Sequence, residues 1–144
     1  MSASAPHLDF FLSLNRAHAL VSRRFGAELG GLHGVGLNDL HLLCALDDAP
    51  ERRLRRVDLA RCLGLTPSGV TWILRPLIKR RLVASEPSPH DARVAYAVLT
   101  PAGQRLVTDA RQSARRLAHA MIDEHPTKHD AARAAAFITR FSTS

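Results

Sequence analysis

The sequence is short of several features that define other classes of protein. It contains only two cysteines, Cys44 and Cys62, each inside an apolar helical pattern, which fits buried, reduced thiols better than a disulfide framework. No run of about 18 apolar residues occurs, which argues against a membrane-spanning helix. The opening MSASAPHLDFF has no basic segment followed by an apolar one, so no secretory signal is predicted. We therefore expect a cytoplasmic protein.

Catalytic and cofactor motifs are also missing. There is no nucleophile elbow, no glycine-rich phosphate loop and no carboxylate pair at a productive spacing, so we expect neither an enzyme nor a bound cofactor. Eight histidines invite a metal-site hypothesis, above all His119, His125 and His129. Their spacing is loose and Pro126 interrupts it, so solvated histidines are the preferred interpretation.

Positive charge, by contrast, is abundant and concentrated. The 144 residues are enough for one globular domain, and they carry a net charge of +7. Between Glu51 and Arg93, ten basic residues stand against four acidic ones, so this segment accounts for +6 of the total. A polyanionic partner such as nucleic acid is indicated, with a solvated basic face as the alternative.

The first half of the chain has the apolar periodicity of helices. A long helix is predicted from His7 to about Leu29, where GGLHGVG breaks it. A second helix is predicted to start at an Asn38 cap and to end before DDAPERR. A short extended piece around Leu54 then leads into a third helix, Val57 to Leu63, which Gly64 ends.

The segment LTPSGVTWILRPLIKRRLV predicts a fourth helix with an unusual outer face. Thr66 is a suitable N-cap and Pro67 suits the first helical position. Trp72 points away from the apolar stripe and is predicted to be exposed, although packing on its own domain or across a dimer is an alternative. Pro76 is predicted to bend this helix. The residues of the apolar stripe are Val70, Ile73, Leu74, Leu77 and Ile78.

The second half of the chain predicts a hairpin followed by two helices. Leu82 to Pro87 and VAYAVL have the period of strands, and PSPHDAR joins them as a loop. Thr100 and Pro101 repeat the cap-then-proline start and begin a long helix that runs to about Glu124, where His125-Pro126 interrupts it. The last predicted helix contains Ala134, Phe137, Ile138 and Phe141.

Three residues give the third and fourth helices the spacing of a helix-turn-helix. Ala60 lies where the helices approach closely, Gly64 is in the turn, and Val70 fills the space between them. A bulky residue at 60 would separate the helices, and a non-glycine at 64 would be strained at positive φ. With the hairpin that follows, the pattern predicts a winged helix-turn-helix.

From Leu40 to Leu106 the sequence resembles the MarR-type family of bacterial transcriptional regulators. VDLARCLGLTPSGVTWILRPLIKRRLV is similar to the recognition motif, and Asp91, Arg93, Leu99, Thr100 and Gly103 fall on the wing pattern D-x-R…L-T-x-x-G. The resemblance implies a mainly α fold with a small β-hairpin wing, in one domain over residues 1–144. It also implies a homodimer, in which the helices of residues 8–30 and 101–141 form the dimer interface. The DNA-binding core is then the winged helix-turn-helix of residues 38–100.

Two residues depart from the family pattern. Relatives often carry arginine on the reading face where this sequence has Trp72, and glycine after the recognition helix where it has Arg81. An indole N–H cannot make the bidentate contact to guanine that arginine makes, so base preference should differ from that of such relatives.

The predicted DNA contacts lie on the fourth helix and in the loop of the hairpin. Arg93 suits a narrow minor groove, and Asp91 is placed to hold its guanidinium; a plain surface ion pair is the alternative. The arginines at 52, 53, 55 and 56 are either contacts to flanking phosphates or solvated. The full set of predicted contacts is Thr66, Ser68, Thr71, Trp72, Arg75, Lys79, Asp91 and Arg93.

The resulting prediction is a sequence-specific regulator that binds double-stranded DNA as a homodimer at a pseudo-palindromic site. The resemblance implies repression that a small-molecule effector relieves, with no role for a membrane. The alternatives are a winged-helix protein-interaction module without DNA binding, and a regulator that responds to metals or to oxidation of Cys44 or Cys62.

Overall fold

The computed structural model describes residues 6–142 of the chain, so the prediction about a secretory signal rests partly on residues outside that range. Most of the described chain is helical, as predicted. The helices are α1 (Pro6–His33), α2 (Leu37–Asp48), α3 (Arg56–Leu63), α4 (Pro67–Lys79), α5 (Pro101–Asp123) and α6 (Ala131–Thr139). The strands are β1 (Arg53–Arg55), β2 (Val83–Pro87) and β3 (Ala95–Leu99), and short 3₁₀ turns cover Pro50–Arg52, Lys128–Asp130 and Arg140–Ser142.

The predicted hairpin is confirmed and belongs to a slightly larger sheet. β2 and β3 pair antiparallel, with Val83 opposite Leu99 and Pro87 opposite Ala95. β1 pairs with the other edge of β3, so the strand order is β1-β3-β2. The sequence indicated an extended piece around Leu54 but not its partner, because a three-residue strand carries little periodicity. The fold is therefore a winged helix-turn-helix with added helices at both ends.

The helix-turn-helix forms as its three spacing residues predicted. Gly64 has φ +65°, the left-handed conformation that ends α3. Ala60 and Val70 are buried between the helices. Thr66 caps α4 by accepting the N–H of Gly69 at 3.1 Å, a type of contact that contributes about 1 kcal/mol.

One core joins the two halves of the molecule. From α4 it receives Val70, Leu74 and Leu77, while Ile73 and Ile78 are half-buried at its edge. β3 contributes Ala97 and Leu99, and the alternate residues of this strand are less buried. The remaining large side chains that are fully buried are Leu29, Leu42, Leu43, Leu46, Leu59, Val83 and Val107.

The first helix ends inside the predicted GGLHGVG segment, but four residues later than the predicted Leu29. α1 continues through Gly30 and Gly31 to His33, and Gly34 follows at φ +69°. Glycine inside a helix costs only about 0.5–1 kcal/mol, and burial of Leu29 against the core outweighs that cost. The Arg80 guanidinium donates to the carbonyl oxygens of Gly34 (2.8 Å) and His33 (3.3 Å), which satisfies the end of the helix.

The predicted bounds of the second helix also need correction. Gly36, not Asn38, is the N-cap, and its N–H donates to the Asp39 carboxylate at 2.8 Å. At the other end, α2 includes Asp47 and Asp48. Arg111 of α5 donates to the Asp48 carboxylate at 2.7 Å and to the Cys44 carbonyl at 3.2 Å, so tertiary contacts extend this helix by two residues. The bend at Pro76 stays a prediction, and α4 continues as a helix to Lys79.

The two cysteines differ in their surroundings. Cys44 is half-buried, and burial raises the pKa of its thiol, an effect that the nearby Arg111 guanidinium partly opposes. Cys62 is exposed, so the expectation that it is buried is wrong. It lies in the last turn of α3, a helix of eight residues that ends at Gly64, and its side chain is on the solvent-exposed side of that turn.

Within residues 6–142, no group of three or more histidine, cysteine or acidic side chains is arranged to hold a metal ion. His119 instead faces Asp123 at 3.0 Å, one turn further along α5. None of the described helices combines the length and the hydropathy that crossing a membrane requires.

Candidate nucleic-acid interface

The solvent side of α4 carries a row of exposed side chains, which we call the outer face of α4: Ser68, Trp72, Arg75 and Lys79. Trp72 is 76% exposed, so the prediction that it points outward is confirmed and packing inside its own domain is wrong. An exposed indole costs free energy in water unless a partner covers it. The outer face therefore has the character of a contact surface.

Positive charge on this side of the molecule is not neutralised internally. Within residues 6–142, Arg75, Lys79 and Arg81 have no ion pair or hydrogen-bonded side-chain partner. Arg80, between the last two, is used to cap α1. The outer face of α4 and the residues just after it thus keep three cations available to an external anion.

The two threonines among the predicted contacts have different environments. The Thr66 hydroxyl oxygen accepts the N–H of Gly69, and its own O–H remains available to donate. Thr71 is only partly exposed, and its hydroxyl oxygen accepts from the Arg56 guanidinium at 3.4 Å. Thr71 therefore faces the junction of α4 with its neighbours rather than the centre of the outer face.

The loop of residues 88–94, which we call the wing, presents an arginine to solvent. Its base is closed by the Ser88 N–H donating to the Val94 carbonyl at 2.8 Å. The Asp91 carboxylate accepts from the Arg93 backbone N–H at 3.0 Å and from its Nε at 3.2 Å. These hydrogen bonds lower the pKa of Asp91, the backbone one most. The Arg93 side chain is still 90% exposed, so Asp91 orients it without covering it.

Three members of the arginine run at 52–56 have acidic partners within the chain. Arg52 faces Asp47 at 3.2 Å, Arg53 faces Glu86 at 3.4 Å, and Arg55 faces Asp58 at 2.7 Å. The Arg55 contact is the main cause that lowers the pKa of Asp58. These pairs are mostly exposed and each contributes little to stability. They neutralise much of the charge that the sequence suggested for flanking phosphates.

Arg56 is the exception in this run. It lies at the start of α3, and its guanidinium reaches both Thr71 of α4 and Ser85 of β2. The sequence left Arg56 as either a contact to flanking phosphates or a solvated side chain, and it gave Ser85 no role. Only the charge of Arg56 was visible in the sequence, since its neighbours come from segments 15 and 29 residues away.

A groove of about 360 Å³ lies beside the outer face of α4. One wall is Trp72, Ile73 and Pro76, and the other combines Ser22 of α1 with residues 36–39 at the start of α2. Within the described part of the chain, the buried Ser22 hydroxyl has no hydrogen-bond partner. The sequence assigned no lining residues to such a pocket, because its walls come from three separate segments.

Comparison with known proteins agrees with this architecture. The family model described as MarR family matches residues 33–94, which hold α2, the helix-turn-helix, β2 and the wing. No curated protein matched the sequence.

Solved structures extend the likeness to nearly the whole chain. A MarR-family regulator from Rhodococcus sp. RHA1 is 20% identical with a TM-score of 0.83, covering 98% of this chain and 97% of that one. Sco3205 of Streptomyces coelicolor, a MarR-family regulator solved in complex with DNA, is 24% identical with a TM-score of 0.78, covering 97% and 89%. BpsR of Bordetella bronchiseptica, whose DNA binding is regulated by 6-hydroxynicotinic acid, is 21% identical with a TM-score of 0.78, covering 100% and 96%.

Proposed function

Because residues 33–94 are a MarR-family segment and the whole chain has the fold of MarR-family structures, we propose that this protein is a DNA-binding transcriptional regulator. The observation that carries the proposal is the outer face of α4, on which an exposed tryptophan lies beside cations that have no partner among the residues that the structure describes. A fold-level likeness alone would not carry it, since one fold hosts many functions.

In this proposal the outer face of α4 enters the major groove. Ser68 and Trp72 meet base edges, and Arg75 meets a base or a phosphate. The indole offers a broad apolar surface to thymine methyl groups and one N–H donor, so T-containing steps are favoured over guanine at its position. Thr66 and Lys79 contact phosphates at the two ends of the helix.

The wing supplies the contact in the minor groove. Arg93 is exposed and oriented by Asp91, which suits insertion where a narrow groove concentrates negative potential. Such a contact reads groove width more than base identity.

A homodimer is supported by the apolar residues that the terminal helices leave exposed. An aromatic cluster joins α1 to α6 and the 3₁₀ turn after it, with ring centroids 5.2–6.3 Å apart, and only part of it is buried; its members are Phe10, Phe11, Phe137 and Phe141. A two-fold partner would cover this surface and place the two copies of α4 about 34 Å apart, matching a pseudo-palindromic site. The other exposed apolar residues here are Leu8, Leu12, Leu20, Leu32, Ile122 and Ile138.

The groove beside Trp72 gives the proposed effector a place to act. A small molecule between α1, α2 and α4 would contact the helix that reads DNA and would shift its position or cover the indole. Ligand control of DNA binding in BpsR supports the same kind of regulation here, with release of repression as the outcome.

The test is selection of bound duplexes from a random pool, followed by anisotropy titrations at several salt concentrations. We expect nanomolar-range binding that weakens steeply with salt, because each neutralised phosphate releases counterions. Arg93→Ala should weaken binding to most duplexes alike, and Trp72→Ala should change the preference among them. If both variants bind every duplex as the parent does, the assigned contacts are wrong; if the parent binds none, a protein-interaction module with Trp72 as its anchor is the better account.

A further inference from the structure

The Arg56 guanidinium is partly buried, and no carboxylate of residues 6–142 forms an ion pair with it. Its Nη1 donates to the Thr71 hydroxyl at 3.4 Å and its Nη2 to the Ser85 hydroxyl at 3.5 Å, both long for hydrogen bonds. Its Nε is buried and, within residues 6–142, has no hydrogen-bond partner. The nearby arginines 52, 53 and 55 each have an acidic partner, so Arg56 stands apart from them.

Such an arrangement costs free energy unless something completes it. A partly desolvated cation needs an anion or good hydrogen bonds, and two long contacts to neutral hydroxyls supply neither fully. Thr71 and Ser85 accept from Arg56 through their oxygens, so both keep an O–H to donate. Arg56, Thr71 and Ser85 form a cluster that offers one ligand a charged guanidinium and two hydroxyl donors. Groups of this kind bind a phosphate.

The cluster also lies where a duplex would bring a phosphate. Thr71 is on α4, and Ser85 is on β2, the strand that leads into the wing. If α4 occupies the major groove and the wing the minor groove, the sugar–phosphate strand that separates the two grooves must cross between them. A cavity of about 150 Å³ lies between Arg56 and α4, and its lining residues are Arg56, Thr71, Leu74, Arg75 and Ile78.

We propose that Arg56, with the hydroxyls of Thr71 and Ser85, forms a phosphate-binding site that holds one backbone phosphate between the two grooves. Arg75, at the edge of the same cavity, adds a second positive charge. This inference rests on the proposed DNA-binding function and adds a contact that fixes the register of α4 relative to the wing.

The decisive variant is Arg56→Gln, which removes the charge and keeps hydrogen-bond donors. Its matched control is Arg55→Gln, the neighbouring arginine, which is exposed and paired with Asp58. We expect Arg56→Gln to bind the selected duplex roughly 10- to 100-fold more weakly, as for loss of a charged hydrogen bond. The slope of log affinity against log salt should become shallower by about 0.9 for each site lost, whereas Arg55→Gln should leave it unchanged.

Duplexes with single methylphosphonate substitutions identify the phosphate itself. At one position in each half-site, removing the phosphate charge should weaken duplex binding by the parent protein. The same substitution should not weaken binding by Arg56→Gln any further. Thermal melting shows whether the variant is folded. A folded Arg56→Gln with the parent's salt slope and the parent's methylphosphonate pattern would overturn the site and leave Arg56 with a purely structural role.

Inorganic phosphate separates this inference from the proposed function. If the parent binds no duplex, the function fails, and the site is judged by the shift in melting temperature that phosphate causes relative to chloride at equal ionic strength. A larger shift in the parent than in Arg56→Gln would support a site for a free phosphate group. Equal shifts in both, together with no duplex binding, would overturn the site as well.

Discussion

Arg81 has φ +59°, a left-handed backbone conformation that L side chains rarely adopt. It is the second residue after α4, and its carbonyl oxygen accepts the Thr100 hydroxyl at 2.7 Å, which ties the turn to the start of α5. Glycine, the residue that the resemblance noted above leads one to expect here, adopts this conformation without a steric cost. An arginine in its place adds a cation beside the outer face of α4 at the expense of about 1 kcal/mol of strain.

Substitutions at 81 should separate charge from conformation. Arg81→Gly should be as stable as the parent or slightly more so, since relief of strain offsets the greater freedom of glycine in the unfolded chain. Arg81→Val should lower the free energy of unfolding by roughly 1–2 kcal/mol, because a β-branched residue is disfavoured at positive φ. Urea denaturation measures both, with Arg81→Lys as the control that keeps charge and strain. A valine variant as stable as the glycine variant would contradict this account of the turn.

The cysteines should differ in reactivity. Thiolate is the reactive form, so burial of Cys44 and its raised pKa should make it slow at neutral pH, whereas the exposed Cys62 should react quickly. Because the pKa of Cys44 is raised, its rate should increase only as the pH rises above the ordinary thiol range. Labelling kinetics with a thiol reagent, compared for Cys44→Ser and Cys62→Ser, measure each rate. Faster labelling of Cys44 in the folded protein would reverse the assignment.

Residues whose environment is set by their immediate neighbours could be predicted from the sequence. Thr66 caps α4 because Gly69 is three residues away, and Asp91 reaches Arg93 because the two are in one tight loop. Cys62 and Arg56 could not be placed in this way. Their exposure and contacts depend on how α3 packs against segments that are distant in the sequence. The spacing of apolar residues within α3 carries no information about that packing.

At the scale of elements, the start of α5 is fixed by a contact between backbones. Gly103 is buried in its first turn, and a Cβ added there would collide with the Leu82 carbonyl and lie 2.7 Å from Leu99 Cδ1. The Thr100 hydroxyl accepts the Gly103 N–H at 3.0 Å while donating to Arg81 or Leu82. Glycine at position 103 therefore lets α5 pack directly on the backbone of Leu82, the residue just before β2.

Gly103→Ala should destabilise the protein although alanine is the better helix former. The forced shift of α5 against Leu82 should cost roughly 1–3 kcal/mol, more than the gain in helix propensity. Gly30→Ala is the matched control: Gly30 is also helical, but nothing lies within 4 Å of an added Cβ, so this variant should be about 0.5–1 kcal/mol more stable. Chemical denaturation of both variants gives the comparison. Two stabilised proteins would show that α5 is not held this closely.

Element types could be predicted more reliably than their ends. The 3.6-residue stripe of α4 and the alternation in β3 are strong patterns, and both elements form where expected. α1 runs past Gly30 because its tertiary contacts continue, and α2 starts at Leu37, capped by Gly36, because Asp39 can reach the Gly36 N–H. Local propensity identified the glycine-rich segment as a breaker and Asn38 as a cap. The helix passes the first two glycines and ends before Gly34, and the cap is Gly36.

For the whole molecule, the proposed dimer accounts for the exposed apolar residues of α1, α5 and α6. Leu12→Lys and Ile138→Lys each place a charge on this surface and should shift sedimentation equilibrium from dimer to monomer. Val57→Lys changes a similarly exposed apolar residue on α3, outside the terminal helices, and should leave the dimer intact. A parent chain that sediments as a monomer at micromolar concentration would remove the dimer from the account.

If the outer face of α4 lies against DNA, a reporter within the chain itself should detect the contact. Trp72 is the only tryptophan in the sequence and is 76% exposed, so its fluorescence comes from the proposed contact surface alone. The most direct measurement is acrylamide quenching of that fluorescence with and without a saturating selected duplex, while anisotropy of a labelled duplex confirms binding. The account predicts that DNA strongly reduces the quenching constant. Confirmed binding with an unchanged quenching constant would contradict it.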